Sequence, residues 1–320
     1  MTGWEKKVRK SAAEQGRLIK AYNSFFYVQL DDADSAANTT ESAEGSEGLL
    51  PCKLRGKLKR ARRSLAVVPG DRVQVSRLPD GSGVIEEVLP RENLLQRPAV
   101  ANLTQVMLTF AAAQPDPHPL LLNRFLVLAE WSEIPRIAIC VNKMDLRPDE
   151  PDFLAAYEAV GYPVYRVSAK ENAGLDALKE ALEGQTTVFA GPSGVGKSSL
   201  LNAIDSGLQL QTSHISAKIK RGRHTTRVAE LIPWQGGYIV DTPGFSAMEL
   251  TAIDPQQLPL YFPDFRPYLG ACRFQPCSHS HEPDCAIKQA VEEGKIQQER
   301  YDAYLPLYQE IEEERKKEYR

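Results

Sequence analysis

The sequence is poor in cysteine and has no long apolar run. Its five cysteines, three of them between positions 272 and 285, cannot build the disulfide framework of a secreted scaffold, and their crowding beside histidines suits a metal site in a reducing compartment. No apolar stretch approaches the roughly eighteen residues that cross a bilayer. The opening stretch MTGWEKKVRKSAAEQ is basic but carries no apolar segment behind it, so a secretory leader is not expected there. The expectation is a cytoplasmic protein with no membrane partner. A strong excess of one charge is also missing, since the net charge is −3. That balance hides local asymmetry: Asp31, Asp32, Asp34, Glu41, Glu44 and Glu47 share a stretch with no base, and Lys53, Arg55, Lys57, Lys59, Arg60, Arg62 and Arg63 follow within eleven residues.

What is present is ordinary for globular chains, and 320 residues suffice for two or three domains. From Gln15 to about Arg97 short β-rich runs alternate with Gly, Asp and Pro turn signals, a pattern that predicts a small all-β barrel. The Ser/Ala/Thr-rich acidic insert DDADSAANTTESAEGSEG reads as a loop within it. Beyond Arg97 the rhythm changes. VMLTFAAA, RIAICVNK, PVYRVSA and TTVFAG read as buried strands, with helical patterns between them at PLLLNRFLVLAEWS, PDFLAAYEAVG and LDALKEALEG. Strands alternating with helices predict βαβ units around a parallel sheet. TAIDPQQLPLYFPDF reads as Pro-rich connecting chain, and the stretch from Ala286 onward as charged helix.

The segment GPSGVGKSS, residues 191–199, has the phosphate-loop spacing and the strand–loop–helix context the motif requires. Gly191, Pro192, Ser193, Gly194, Val195 and Gly196 would turn backbone N–H groups toward phosphates. Lys197 would reach the β/γ oxygens, Ser198 would ligate Mg²⁺, and Ser199 continues the helix start. Base choice must be read elsewhere. Asn142, Lys143, Met144 and Asp145 follow a buried strand, where loops line the ligand crevice of an open α/β sheet. The Asp145 carboxylate can accept from guanine N1–H and the N2 amine, which adenine lacks. Asn142 can address the O6/N7 edge, and the Lys143 stem can lie over the ring. Ser168, Ala169 and Lys170 close a later strand, where a backbone N–H can meet O6. In IVDTPGF, Asp241 would hold Mg²⁺ through water and the Gly244 N–H would touch the γ-phosphate. Thr225 or Thr226 is the expected switch ligand of Mg²⁺, and spacing does not choose between them.

These pieces belong to P-loop GTPases, but the base-reading motifs precede the phosphate loop, so the order looks circularly permuted. With PGDRV and IEEVLPRENLLQRP before them, RGRHTT and DTPGF among them and CRFQPCSHSHEPDCAI after, the chain resembles the ribosome small subunit-dependent GTPase A (RsgA) family along nearly its whole length. The resemblance implies an OB-fold barrel over 1–98, a circularly permuted α/β P-loop GTPase domain over 99–250, and a mainly α zinc-binding domain over 251–320. It further implies a GTP hydrolase acting in late maturation of the 30S subunit, slow alone and stimulated by that subunit.

Cys272, Cys277, His279 and Cys285 offer three thiolates and one imidazole, a closed tetrahedral set suited to one structural Zn²⁺. His281 is a rival ligand, and the family pattern matches His279. The basic run at 53–63 and the cations Lys218, Lys220, Arg221, Arg223 and Arg227 suit phosphate contacts, with the 16S rRNA of the 30S subunit as expected partner of a monomer. The position where Ras-type enzymes carry a water-orienting Gln holds Phe245. His224, beside the two threonines, is the candidate to orient water once RNA orders its loop. Two other classes compete. A small-molecule P-loop ATPase or kinase would not need Asn142-Lys143-x-Asp145, and an RNA-binding scaffold with a structural GTP site would not turn GTP over.

Overall fold

A computed structural model describes residues 13–22, 25–31, 48–56, 58, 67–96, 98–147, 149, 153–206, 229–241 and 250–318. Two compact units organise the chain. One comprises Met1–Leu103, Thr226–Pro233 and Val240–Pro243, and the other Thr104–Thr225, Trp234–Ile239 and Gly244–Arg320.

The first unit is built on a closed barrel of five strands: β1 (Glu14–Tyr22), β2 (Phe25–Leu30), β3 (Leu50–Leu54), β4 (Arg72–Arg77) and β5 (Gly83–Val88), in the order β1-β2-β3-β5-β4. Alternate residues fill it, among them Leu18, Val28, Cys52, Val73, Val75 and Ile85, as a half-buried sheet closed on itself demands. The PGDRV stretch is structural. Gly70 takes φ +89 and lies so close to the Ala101 carbonyl that a Cβ there would collide. Asp71, fully buried, accepts from Val68 N at 2.8 Å and pairs with Arg91 at 2.6 Å. A short hairpin of β6 (Leu94–Gln96) and β7 (Ala99–Ala101) follows.

A six-stranded sheet carries the rest of the α/β region, in the order β10-β9-β8-β11-β13-β12. Its strands are β8 (Gln105–Ala111), β9 (Arg136–Asn142), β10 (Val164–Arg166), β11 (Thr186–Ala190), β12 (Glu230–Trp234) and β13 (Gly237–Asp241). β10, β9, β8 and β11 run parallel. Every residue of β8 and of β11 is buried, which is why both are mostly apolar and do not alternate with polar residues as half-buried strands do. Helices α1 (Pro119–Trp131), α2 (Leu154–Val160), α3 (Leu175–Leu182) and α4 (Lys197–Ile204) connect or follow them. His118 caps α1, its Nδ1 accepting from Leu121 N, with proline at the first turn. Gly161 at φ +102 ends α2.

The Pro-rich stretch after Leu250 is more than connecting chain. It folds into short 3-10 turns that bury Leu258, Phe262 and Phe265 against Tyr304 and against Val127 and Leu128 of α1. Such turns leave no helical or strand periodicity in the sequence. Helices α5 (Ala286–Glu292) and α6 (Gln298–Glu318) complete the chain. Among the described residues no helix is long and apolar enough to cross a membrane.

Candidate functional site

The phosphate-loop segment leaves the buried end of β11 and closes into the first turn of α4, where Leu200 N donates to Gly196 O at 2.8 Å. Gly191, Gly194 and Gly196 all have positive φ. Gly191 is packed so tightly on the Thr109 carbonyl of β8 that any side chain would collide, which anchors the loop to the sheet. Pro192, Gly196, Lys197 and Ser198 are half-buried, Val195 is buried, and Ser193, Gly194 and Ser199 are exposed. The Lys197 ammonium lies across the loop, donating to Gly191 O and Pro192 O at 2.8 Å each. Burial lowers its pKa to about 8.

Asn142, Lys143, Met144 and Asp145 leave the end of β9 beside this loop. Asp145 Oδ1 accepts from the Ser168 hydroxyl at 2.7 Å, and Lys170 Nζ stands 3.6 Å from Oδ2. The Ser168 bond, helped by Lys170, holds the carboxyl below its usual range, so it is an anion. Ser168 is itself fixed by two backbone bonds with Ala173 and accepts from Glu171 N at 3.2 Å. Met144 N donates to Val167 O. Lys143, in the left-handed conformation at φ 61, donates from Nζ to Gly194 O at 2.7 Å and to Gln114 O.

Sequence reasoning missed what Asn142 does. Buried at 2% exposure, it donates through Nδ2 to Val195 O at 3.0 Å and accepts at Oδ1 from Ala169 N at 3.1 Å. One amide thus ties together the base-reading loop, the loop of Ser168 to Lys170 and the phosphate loop. This bridging of the protein's own loops is not signalled by spacing in the sequence. Asp241 is the last residue of β13. Gly244, His224, Thr225 and Thr226 lie outside the described residues, as do Phe245 and the cations from Lys218 to Arg227. Of the basic run, Lys53 and Arg55 are described, and Arg55 pairs with Glu86.

Cys272, Cys277, His279 and Cys285 converge, with all four donor atoms within 4.8 Å of one another. Cys272 Sγ is 3.8 Å from Cys285 Sγ, and His279 Nδ1 is 3.5 Å and 3.4 Å from those two sulfurs. An ion with bonds of about 2.3 Å to sulfur and about 2.0–2.1 Å to nitrogen sets tetrahedral neighbours roughly 3.5–3.8 Å apart. The donor set therefore fits a closed metal site. His281 is not part of it: its ring is exposed and bonds Ser280 Oγ at 2.9 Å. Helix α6 supports the knuckle from below, Tyr301 and Tyr304 donating to the His279 and Ser278 carbonyls at 2.8 and 2.7 Å.

Also illegible in the sequence is Arg300, 1% exposed, which pairs with Asp264 at 2.7 Å and bonds Asn123 of α1. Its guanidinium lies 4.9 Å from the Phe262 ring centroid and 5.5 Å from that of Tyr157 on α2.

The RsgA GTPase family model matches residues 88–251. The small ribosomal subunit biogenesis GTPase RsgA of Agathobacter rectalis is 43% identical over 306 residues, covering 94% of this chain and 99% of that one. Its counterpart from Clostridium perfringens is 43% identical over 299 residues, covering 93% and 98%. Among solved structures, YjeQ from Thermotoga maritima matches with TM-score 0.77 at 37% identity, covering 93% of this chain and 98% of that one. YloQ, described as a circularly permuted GTPase, matches with TM-score 0.75 at 36% identity, covering 96% and 98%.

Proposed function

The chain belongs to the RsgA GTPase family, and from that premise we propose that it binds the 30S subunit through 16S rRNA, assists late maturation of that subunit, and hydrolyses GTP to GDP and phosphate with subunit-stimulated turnover. The observation that carries the guanine reading is the Asp145 carboxylate, held as an anion by Ser168 on a loop that Asn142 ties to the phosphate loop. A fixed carboxylate acceptor suits the N1–H and N2 amine of guanine, where adenine presents an N1 lone pair and a C2–H instead.

In this reading the backbone of Gly191 to Gly196 cradles the phosphates, and Lys197 leaves its two loop carbonyls to meet the β/γ oxygens. Lys143 supports the loop through Gly194 O. Ser198, Asp241 through water, and Thr225 or Thr226 would hold Mg²⁺, which when bound neutralises charge on the β- and γ-phosphates. Gly244 would donate to the γ-phosphate. His224 would orient the attacking water, because Phe245 cannot, and RNA contact would place it. Zn²⁺ is the ion that three thiolates and an imidazole at this spacing would select, as a structural centre with no open position. The OB-fold domain over 1–98, the permuted GTPase domain over 99–250 and the zinc-binding domain over 251–320 would act together as a cytoplasmic monomer.

Nucleotide competition tests the base reading. GTP and GDP should displace bound labelled GDP while ATP does not, and Asp145→Asn should shift preference toward xanthine nucleotides, since the acceptor becomes an amide. Unchanged guanine preference in that variant would reject the assignment.

A further inference from the structure

At the end of the sheet opposite the nucleotide loops, an open cleft of about 620 Å³ lies between the first residues of β8 and β9 and the stretch carrying Pro263 and Arg266. That volume is within the range of ligand sites. Its floor is unusual for a parallel sheet, whose buried strands are normally apolar throughout. β8 continues as Val106, Met107 and Leu108, but it starts with Gln105, which is 3% exposed and whose side-chain amide has no protein partner among the described residues. In register beside it on β9 stands Arg136, exposed at the cleft, with no ion pair or side-chain hydrogen bond among them. In register on its other side is Thr187 of β11, fully buried behind the cleft rather than lining it, its hydroxyl without a partner among the described residues. The other charges in the lining neutralise one another: Glu130 accepts from Tyr162 OH at 2.9 Å and from Arg266 at 2.7 Å. Buried polar groups normally have partners, so the Gln105 amide, which lines the cleft with none among the described residues, points to a partner outside the chain, and the exposed Arg136 beside it supplies a charge for that partner.

We propose that this cleft is a second binding site, which takes a short carboxylate-bearing peptide segment of a partner protein. The Arg136 guanidinium pairs with the carboxylate. The Gln105 amide supplies one donor pair and one acceptor, the complement of a peptide unit. Tyr162, Tyr165 and the prolines 135, 163 and 263 form the apolar wall against which such a segment packs. One unpaired cation is enough for a carboxylate and too little for a polyanion, which favours peptide over RNA. None of these groups lies in the loops that would hold nucleotide, so the site stands apart from the GTPase reading.

The test uses the full-length protein and side-chain amide NMR, with the Gln105 resonance assigned through Gln105→Leu. The probes are acetyl-Pro-Pro-Glu-Glu amide, its Gln-Gln counterpart, and tetrauridylate. The acidic peptide should shift the Gln105 resonance saturably. Binding should be at least about tenfold weaker for the neutral peptide and in Arg136→Gln, as loss of a charge-assisted bond requires. No shift with the acidic peptide, equal affinity for both peptides, or a shift with the oligonucleotide alone would overturn the proposal. Gln105→Leu should also raise Tm by about 2–4 °C, because it removes a polar group the fold does not pair. A lowered Tm would show that the amide serves the fold and would equally overturn it. GTP turnover without subunits should be unchanged in both variants, so the result is independent of the nucleotide reading.

Discussion

Replacing Arg300 with methionine should be among the most damaging single changes in the unit that contains it. The guanidinium, 1% exposed, makes two bonds to Asp264, at 2.7 and 3.2 Å, and one to Asn123. It also lies over the Phe262 ring. Methionine keeps the length of the stem and much of its packing, but it leaves the Asp264 carboxylate, 9% exposed, without its counterion. Stranding one partner of a buried pair costs about 3–5 kcal/mol. In a unit of this size that corresponds to a Tm lowered by roughly 6–20 °C. Converting Asp264 to leucine in the same protein removes the stranded charge, and the double variant should regain most of the loss, because apolar replacement of a whole pair is often neutral. Urea unfolding of the parent, both single variants and the double variant gives the coupling energy directly. A single variant within about 1 kcal/mol of the parent, or a double variant as unstable as the sum of the singles, would refute the claim that this pair holds α6 to the Pro-rich stretch before it.

Two further outcomes follow from the site. Lys197 has a pKa of about 8 because of burial, and bound phosphates would raise it. Below pH 8 the ammonium is present in free and bound protein alike. Above it, binding must take up a proton, so calorimetric affinity for GDP should fall by up to about tenfold per pH unit; a flat profile from pH 7 to 9 would contradict this. Purified protein should carry about one zinc by elemental analysis, and Cys285→Ser should lose most of it, since Cys285 faces both Cys272 and His279. Full metal content in that variant would remove it from the ligand set.

The motifs legible in the sequence were those whose chemistry is local in the chain. The phosphate loop spans residues 191–199, Asn142 to Asp145 are consecutive, and the four metal-site residues fall within fourteen positions. The closed barrel and the parallel sheet were also readable, from turn punctuation and from mostly apolar strands without alternation, such as β8 and β11. What escaped depends on long-range contact. Asn142 bonds Val195 across 53 residues, and Arg300 bonds Asn123 across 177. No residue pattern near either partner signals those contacts. The stretch holding Phe262 and Phe265 was misread for a different reason: 3-10 turns rich in proline bury aromatic rings without periodicity.

In the proposed mechanism the small ribosomal subunit completes the permuted nucleotide site. Multiple-turnover GTP hydrolysis, with and without purified 30S subunits and in the presence of Mg²⁺, tests it most directly. Turnover should be slow alone and strongly accelerated by the subunit, and His224→Ala should lose the acceleration while keeping its affinity for GTP. Equal rates with and without subunits would contradict it.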